Sequence, residues 1–132
     1  MKKLARLYCV LAGACDVVTG VLLVVAPVLA LGLMRVPDPL AQPVWMRFIG
    51  AFVGGLGLVY LYGLARDPRG GARLSHLMEA TALVRACIAL FTGAAVIAGA
   101  LSPAWLSVCL TDATFAIVQV VLLKRGAFER EA

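Results

Sequence analysis

Four long apolar stretches, separated by short polar or proline-containing segments, dominate the pattern of the chain. They cover approximately residues 7–31, 44–64, 75–101 and 103–123. A helix needs about 20 mostly apolar residues to cross the hydrocarbon core of a bilayer, and each stretch meets that length. Helices are expected because an open sheet edge would find no hydrogen-bond partner in lipid. The pattern predicts an all-α integral membrane four-helix bundle, built from two helical hairpins in a single transmembrane domain over residues 1–132.

The segments between these spans favour turns. Residues 34–39 contain two prolines, which break helices, and residues 66–71 combine charged side chains with proline and two glycines. The third connection is only Ser102-Pro103, so spans 3 and 4 are expected to form a tight hairpin.

Composition supports a lipid-facing protein. The chain has 132 residues, of which 63% are hydrophobic and 14% charged, and its mean hydropathy is +0.99. A soluble domain of this size has too little interior to hide so much apolar surface. The first apolar run is also too long for the hydrophobic region of a cleaved signal peptide, so a retained first span is expected.

Basic residues are concentrated on one side of the predicted membrane. Four spans place nine of them on one shared face: Lys2, Lys3, Arg6, Arg66, Arg69, Arg73, Lys124, Arg125 and Arg130. The opposite face has only Arg35 and, at its boundary, Arg47. Because basic loops stay in the cytoplasm, this asymmetry predicts that both termini are cytoplasmic. The basic residues flank apolar runs and form no basic face, so no nucleic acid is expected as a partner.

Three charged residues fall inside the apolar stretches. Asp16, Arg85 and Asp112 each lie about nine or ten positions from a span end, which at a rise of ~1.5 Å per residue is close to the bilayer midplane. An isolated charge there costs at least ~2.5–3.5 kcal/mol, so the three are expected to pair. Gln119 shares the helical face of Asp112. The sequence therefore predicts a buried charge cluster of Asp16, Arg85, Asp112 and Gln119.

The sequence leaves two interpretations of this cluster open. As an ion-pair network, it would hold the helices in register within a non-catalytic subunit or a homo-oligomeric bundle. As a proton relay or part of a substrate pocket, it would serve a proton-coupled small-molecule transporter or channel, since one arginine and two aspartates leave one negative charge in excess.

Further polar and glycine positions are candidates for contacts. His76 and Glu79 lie one turn apart at the cytoplasmic end of span 3. They are interpreted as a polar pair at the level of the lipid headgroups, as a proton-entry site or as ligands to a bound cofactor. Arg47 is expected to contact lipid phosphate or an anionic ligand. Gly50 and Gly54 form a G-x-x-x-G pattern, which allows two helices to approach closely.

No sequence motif indicates a reaction. The chain has no C-x-x-C pair, nucleophile elbow, H-E-x-x-H or glycine-rich phosphate loop, so we predict no catalytic residue and no metal site, and the cofactor stays unknown. A membrane redox or cofactor-binding role is a further alternative, with Cys15, Cys87, Cys109 and His76 as its candidate residues. Cysteines inside apolar segments usually behave as small hydrophobic residues.

The second span carries a family resemblance. Residues 45–60, WMRFIGAFVGGLGLVY, resemble the same region of small bacterial four-helix membrane proteins of the DoxX-like type, mainly through residues 47–50 and Gly57. The resemblance implies a bacterial inner-membrane protein that is sometimes the partner of a membrane oxidoreductase. It implies no catalytic residues.

Overall fold

The computed structural model describes residues 2–36 and 43–128, and all regular structure within these ranges is helical. The helices are α1 (Lys2–Val25), α2 (Pro27–Leu33), α3 (Pro43–Arg66), α4 (Ala72–Ile97) and α5 (Leu106–Lys124), with a 3₁₀ turn over Pro103–Trp105 directly before α5. Four helical segments are long and apolar enough to cross a membrane, with mean hydropathies between 1.8 and 2.2. The predictions of an all-α fold and of four span-length apolar helices are confirmed.

The first predicted span is two helices rather than one. Helix α1 ends at Val25, and Ala26 leaves the helical region with φ −136° and ψ 63° before α2 begins at Pro27. Proline has no backbone N–H and is favoured in the first turn of a helix, so it ends one helix and begins the next. Pro37 and Pro39, which were expected to end the helix and form the turn between spans 1 and 2, lie outside the described residues.

The connection between α4 and α5 is longer than the sequence predicted. Gly99 adopts a left-handed conformation with φ 72°, and the N–H of Ala100 donates to the carbonyl of Ala95 at 2.9 Å. This capping pattern ends α4 at Ile97 instead of at residue 101. The turn therefore occupies residues 98–102, while α4 and α5 still pack against each other.

Three chain segments meet at the end of the molecule that carries the basic residues. The Arg6 guanidinium donates to the carbonyl of Pro68, and the N–H of Gly71 donates to the carbonyl of Phe128 at 2.8 Å. The start of α1, the α3–α4 turn and the residues after α5 are thereby joined. We call this region the basic end, defined by Lys3, Arg6, Arg66, Arg69, Arg73, Lys124 and Arg125. Arg130 lies outside the described residues.

Helices α1 and α3 pack through glycines. A Cβ placed on Gly20 would lie 2.5 Å from the backbone nitrogen of Gly54 and 2.7 Å from the carbonyl oxygen of Gly50. A Cβ on Gly57 would lie 2.6 Å from the carbonyl oxygen of Gly13. The backbones of the two helices are thus in direct contact, as small residues permit in membrane helices. The structure places the two predicted packing glycines, Gly50 and Gly54, at this contact.

The four long helices form two close pairs, α1 with α3 and α4 with α5. Between the pairs, backbone approach is limited mainly to α3 and α4, and large side chains fill the remaining space. Near the basic end these include Tyr8, Tyr60, Met78 and Phe128, each at most 7% exposed. The space between the two pairs is where the charged residues lie.

Candidate functional site

Arg85 is the centre of the buried polar residues. Its side chain projects from α4 and the residue is 1% exposed. One guanidinium nitrogen, Nη2, lies 2.5 Å from Oδ2 of Asp16 on α1, and Nη1 lies 2.5 Å from Oδ1 of Asp112 on α5. The two aspartate side chains are 10% and 13% exposed. The structure therefore brings together the three charged residues that the sequence placed at one depth.

Tyr60 adds helix α3 to this arrangement. The Arg85 Nε donates to the Tyr60 hydroxyl at 2.9 Å. The guanidinium carbon also lies 4.7 Å from the centroid of the Phe115 ring and 5.4 Å from that of Tyr60, within the range of cation–π attraction. Arg85 is consequently bound by side chains from all three of the other long helices.

Gln119 extends the polar contacts toward the basic end. This residue is fully buried, and its Oε1 accepts hydrogen bonds from the hydroxyls of Tyr8 and Tyr60, both at 2.9 Å. Its Nε2 donates to the carbonyl oxygen of Met78 and to Oγ1 of Thr81, both at 2.6 Å. An amide side chain has two donor hydrogens and two acceptor lone pairs, so Gln119 uses its full hydrogen-bonding capacity.

We call this set of residues the central network: Tyr8, Asp16, Tyr60, Thr81, Arg85, Asp112 and Gln119. Within the described ranges, the single buried side-chain N or O atom without a partner is Oγ of Ser102, which lies outside the network. A fully paired polar network in a low-dielectric interior fixes one arrangement of the elements that contribute to it. Here those elements are the two helix pairs.

Sequence reasoning did not single out three aromatic residues of this site: Tyr8, Tyr60 and Phe115. A signal existed for two of them. Tyr8 precedes Asp16 by eight residues, and Phe115 follows Asp112 by three, so each shares a helical face with a predicted charge. Tyr60 has no such neighbour on its own helix. Its position depends on how α3 packs against α1, which one span's pattern does not reveal.

The other predicted contact residues lie apart from the central network. His76 and Glu79 contact each other on α4, with Nδ1 3.4 Å from Oε2, and their side chains are 77% and 61% exposed. Arg47 is exposed near the beginning of α3. The structure does not bring these residues to Arg85.

The cysteines are dispersed as well. Cys9 is buried, Cys109 is half-buried, and Cys15 and Cys87 are exposed. Across residues 2–36 and 43–128, no group of three histidine, cysteine or acidic residues is arranged to hold a metal ion.

Comparison with known proteins adds no relative. No family model, no curated protein and no solved structure matches the chain.

A test of the central network is the removal of one hydroxyl. Tyr60→Phe deletes the group that accepts from Arg85 and donates to Gln119. Because one of these bonds involves a charged partner, we expect a loss of about 1.5 kcal/mol in unfolding free energy, measured by SDS titration in mild detergent micelles.

The matched control for this test is Tyr62→Phe, since the side chain of Tyr62 is 60% exposed on the same helix. Its unfolding free energy should stay within ~0.5 kcal/mol of the unmodified protein. Equal effects of the two substitutions would contradict a special role for the Tyr60 hydroxyl.

Proposed function

We propose that the protein is a polytopic inner-membrane protein that acts as a non-catalytic subunit or homo-oligomeric bundle, in which the central network fixes the packing of the helices. The observation that carries this proposal is the position of Arg85. It is paired with Asp16 and Asp112 between two helix pairs that otherwise share few backbone contacts.

Membrane insertion is supported by what the helices expose. Many of their large apolar side chains face outward, among them Leu90 at 74%, Phe91 at 70% and Ile97 at 89% exposure. In water such a surface would drive association, whereas in lipid it is the expected outer face. The basic end then supports an orientation with both termini in the cytoplasm, because lysine and arginine accumulate on that side.

A role in assembly is supported by how little of the described chain lies outside the long helices. The α3–α4 connection is residues 67–71, and the α4–α5 connection is residues 98–102 together with the 3₁₀ turn. These turns offer little material for a soluble active site. A partner would therefore meet the protein mainly through the outer surfaces of its helices.

The transport alternative receives less support from the geometry. The charged groups of Arg85, Asp16 and Asp112 are bound to one another, and none of the three lines the cavity of about 510 Å³ found at the basic end. A redox role also receives less support, since its candidate cysteines are all free thiols, with Cys15 and Cys87 exposed and Cys109 half-buried. We keep the DoxX-like resemblance of residues 45–60 as a proposal for the family.

The proposal is tested by the mass of the protein after purification in mild detergent. Because a subunit or homo-oligomer acts through assembly, native mass spectrometry is expected to show either several copies of the 13.9 kDa chain or a stoichiometric second protein. Crosslinking in the membrane before extraction is the control for detergent-induced dissociation. A monomer without a partner under both conditions would contradict the proposal.

A further inference from the structure

A cavity of about 510 Å³ opens at the basic end. Its volume lies within the ~300–1,000 Å³ typical of small-molecule sites. It is bounded by the start of α1, the end of α3, the α3–α4 turn, the start of α4 and the residues after α5. Its lining residues include Ala5, Cys9, Leu64, Leu74 and Phe128, which form an apolar floor.

The polar part of the lining is positively charged. Lys3, Arg6 and Arg69 contribute to it, and the described lining residues include no aspartate or glutamate. Arg6 is held in place by its hydrogen bond to the carbonyl of Pro68. Lys3 and Arg69 are both exposed at the rim. A ligand that fits this lining has an anionic group next to an apolar part.

The position of the cavity indicates where such a ligand comes from. The apolar floor includes Cys9, about two turns inside the start of α1, and Leu64, in the last turn of α3. The basic side chains lie farther out, with Lys3 in the first turn of α1 and Arg69 in the α3–α4 turn. In the proposed membrane setting, this is the level at which lipid phosphates meet acyl chains. Basic pockets between membrane helices on the cytoplasmic side are suited to anionic lipid headgroups.

We propose that the basic-end cavity binds the headgroup of an anionic phospholipid from the cytoplasmic leaflet, with the phosphate against Lys3, Arg6 and Arg69 and the glycerol and upper acyl carbons against Leu64, Leu74 and Phe128. This inference rests on the proposed membrane insertion and on the basic end being cytoplasmic. It is independent of whether the protein assembles with itself or with a partner.

The experiment measures lipid binding to the full chain in detergent by native mass spectrometry, with phosphatidylglycerol as the probe. Lys3→Gln together with Arg69→Gln removes two charges from the rim but leaves the Arg6 contact to Pro68. Because each basic group near an anionic lipid surface contributes a roughly fivefold preference, the double variant should bind phosphatidylglycerol roughly 30-fold more weakly. Phosphatidylcholine, whose headgroup has no net charge, should bind weakly to both proteins.

The matched control is Arg66→Gln together with Arg125→Gln, which removes the same charge from exposed basic-end positions outside the lining. We expect phosphatidylglycerol affinity to change less than ~3-fold in this control. An equal loss in both double variants would overturn the site in favour of general surface attraction. Displacement of the lipid by equimolar inorganic phosphate would overturn the lipid assignment in favour of a free anion.

The same samples separate this inference from the proposed function. Recovery of both double variants from the membrane fraction, with the mass of the unmodified assembly, leaves the proposed function standing whatever the lipid result. Loss of the unmodified protein from the membrane fraction would instead contradict insertion and the lipid site together.

Discussion

Arg85→Leu is expected to lower the unfolding free energy by about 3–5 kcal/mol, because removal of one partner leaves charged carboxylates buried without compensation. The two groups left behind are Asp16 and Asp112, each 2.5 Å from the guanidinium in the intact protein. Leucine also removes the donor to the Tyr60 hydroxyl. The measurement is SDS titration in mild detergent, followed by tryptophan fluorescence; of the two tryptophans, Trp105 packs against the buried cluster around Leu23.

The same site provides the rescue experiment. Adding Asp16→Asn and Asp112→Asn to Arg85→Leu removes the uncompensated charges, so more than half of the lost free energy should return. The control is Arg47→Leu, which removes an exposed arginine from α3 and should change the unfolding free energy by less than ~0.5 kcal/mol. If neutralising the aspartates restores nothing, the loss in Arg85→Leu has a cause other than ion pairing.

Much of the fold follows from the length and hydropathy of four segments. The length and hydropathy of a span can be read from its own stretch of sequence, so the existence of the four span-length helices could be predicted. The positions of the helix ends were predicted less accurately than the existence of the helices. The break at Ala26 and the early end of α4 at Ile97 depend on single residues, Pro27 and Gly99, within stretches that remain apolar on both sides.

The candidate site also contains residues that the sequence indicates and residues that it does not. The cost of an isolated charge in lipid makes Asp16, Arg85 and Asp112 conspicuous, and their equal depth predicts that they meet. Tyr8, Tyr60 and Thr81, which help to complete the network, are uncharged and show no such cost. Their roles depend on the rotation of each helix about its axis, which is set by packing between helices.

The close packing of α1 against α3 leads to the second large expected effect on the unfolding free energy. Gly57→Ala is expected to destabilise the protein by about 2–3 kcal/mol, since overpacking a close interface forces backbone shifts. The new Cβ would lie 2.6 Å from the carbonyl oxygen of Gly13, 2.7 Å from the nitrogen of Val17 and 2.8 Å from the Cβ of Asp16. Two of these neighbours are backbone atoms, so α1 must move as a whole.

Gly55→Ala is the matched control for Gly57→Ala, because a Cβ at Gly55 meets nothing within 4 Å on the same helix. It should leave the unfolding free energy within ~0.5 kcal/mol of the unmodified protein, or raise it slightly because alanine favours helix. Because the new Cβ would displace α1 at Asp16, we expect the effect of Gly57→Ala on stability to depend on the Asp16–Arg85 ion pair. Gly57→Ala combined with Asp16→Asn should deviate from additivity by about 0.5–3 kcal/mol in SDS titration. Strict additivity would mean that the glycine contact and the charge network stabilise the helices independently, whereas coupling would show that the close approach of α1 and α3 positions Asp16 for Arg85.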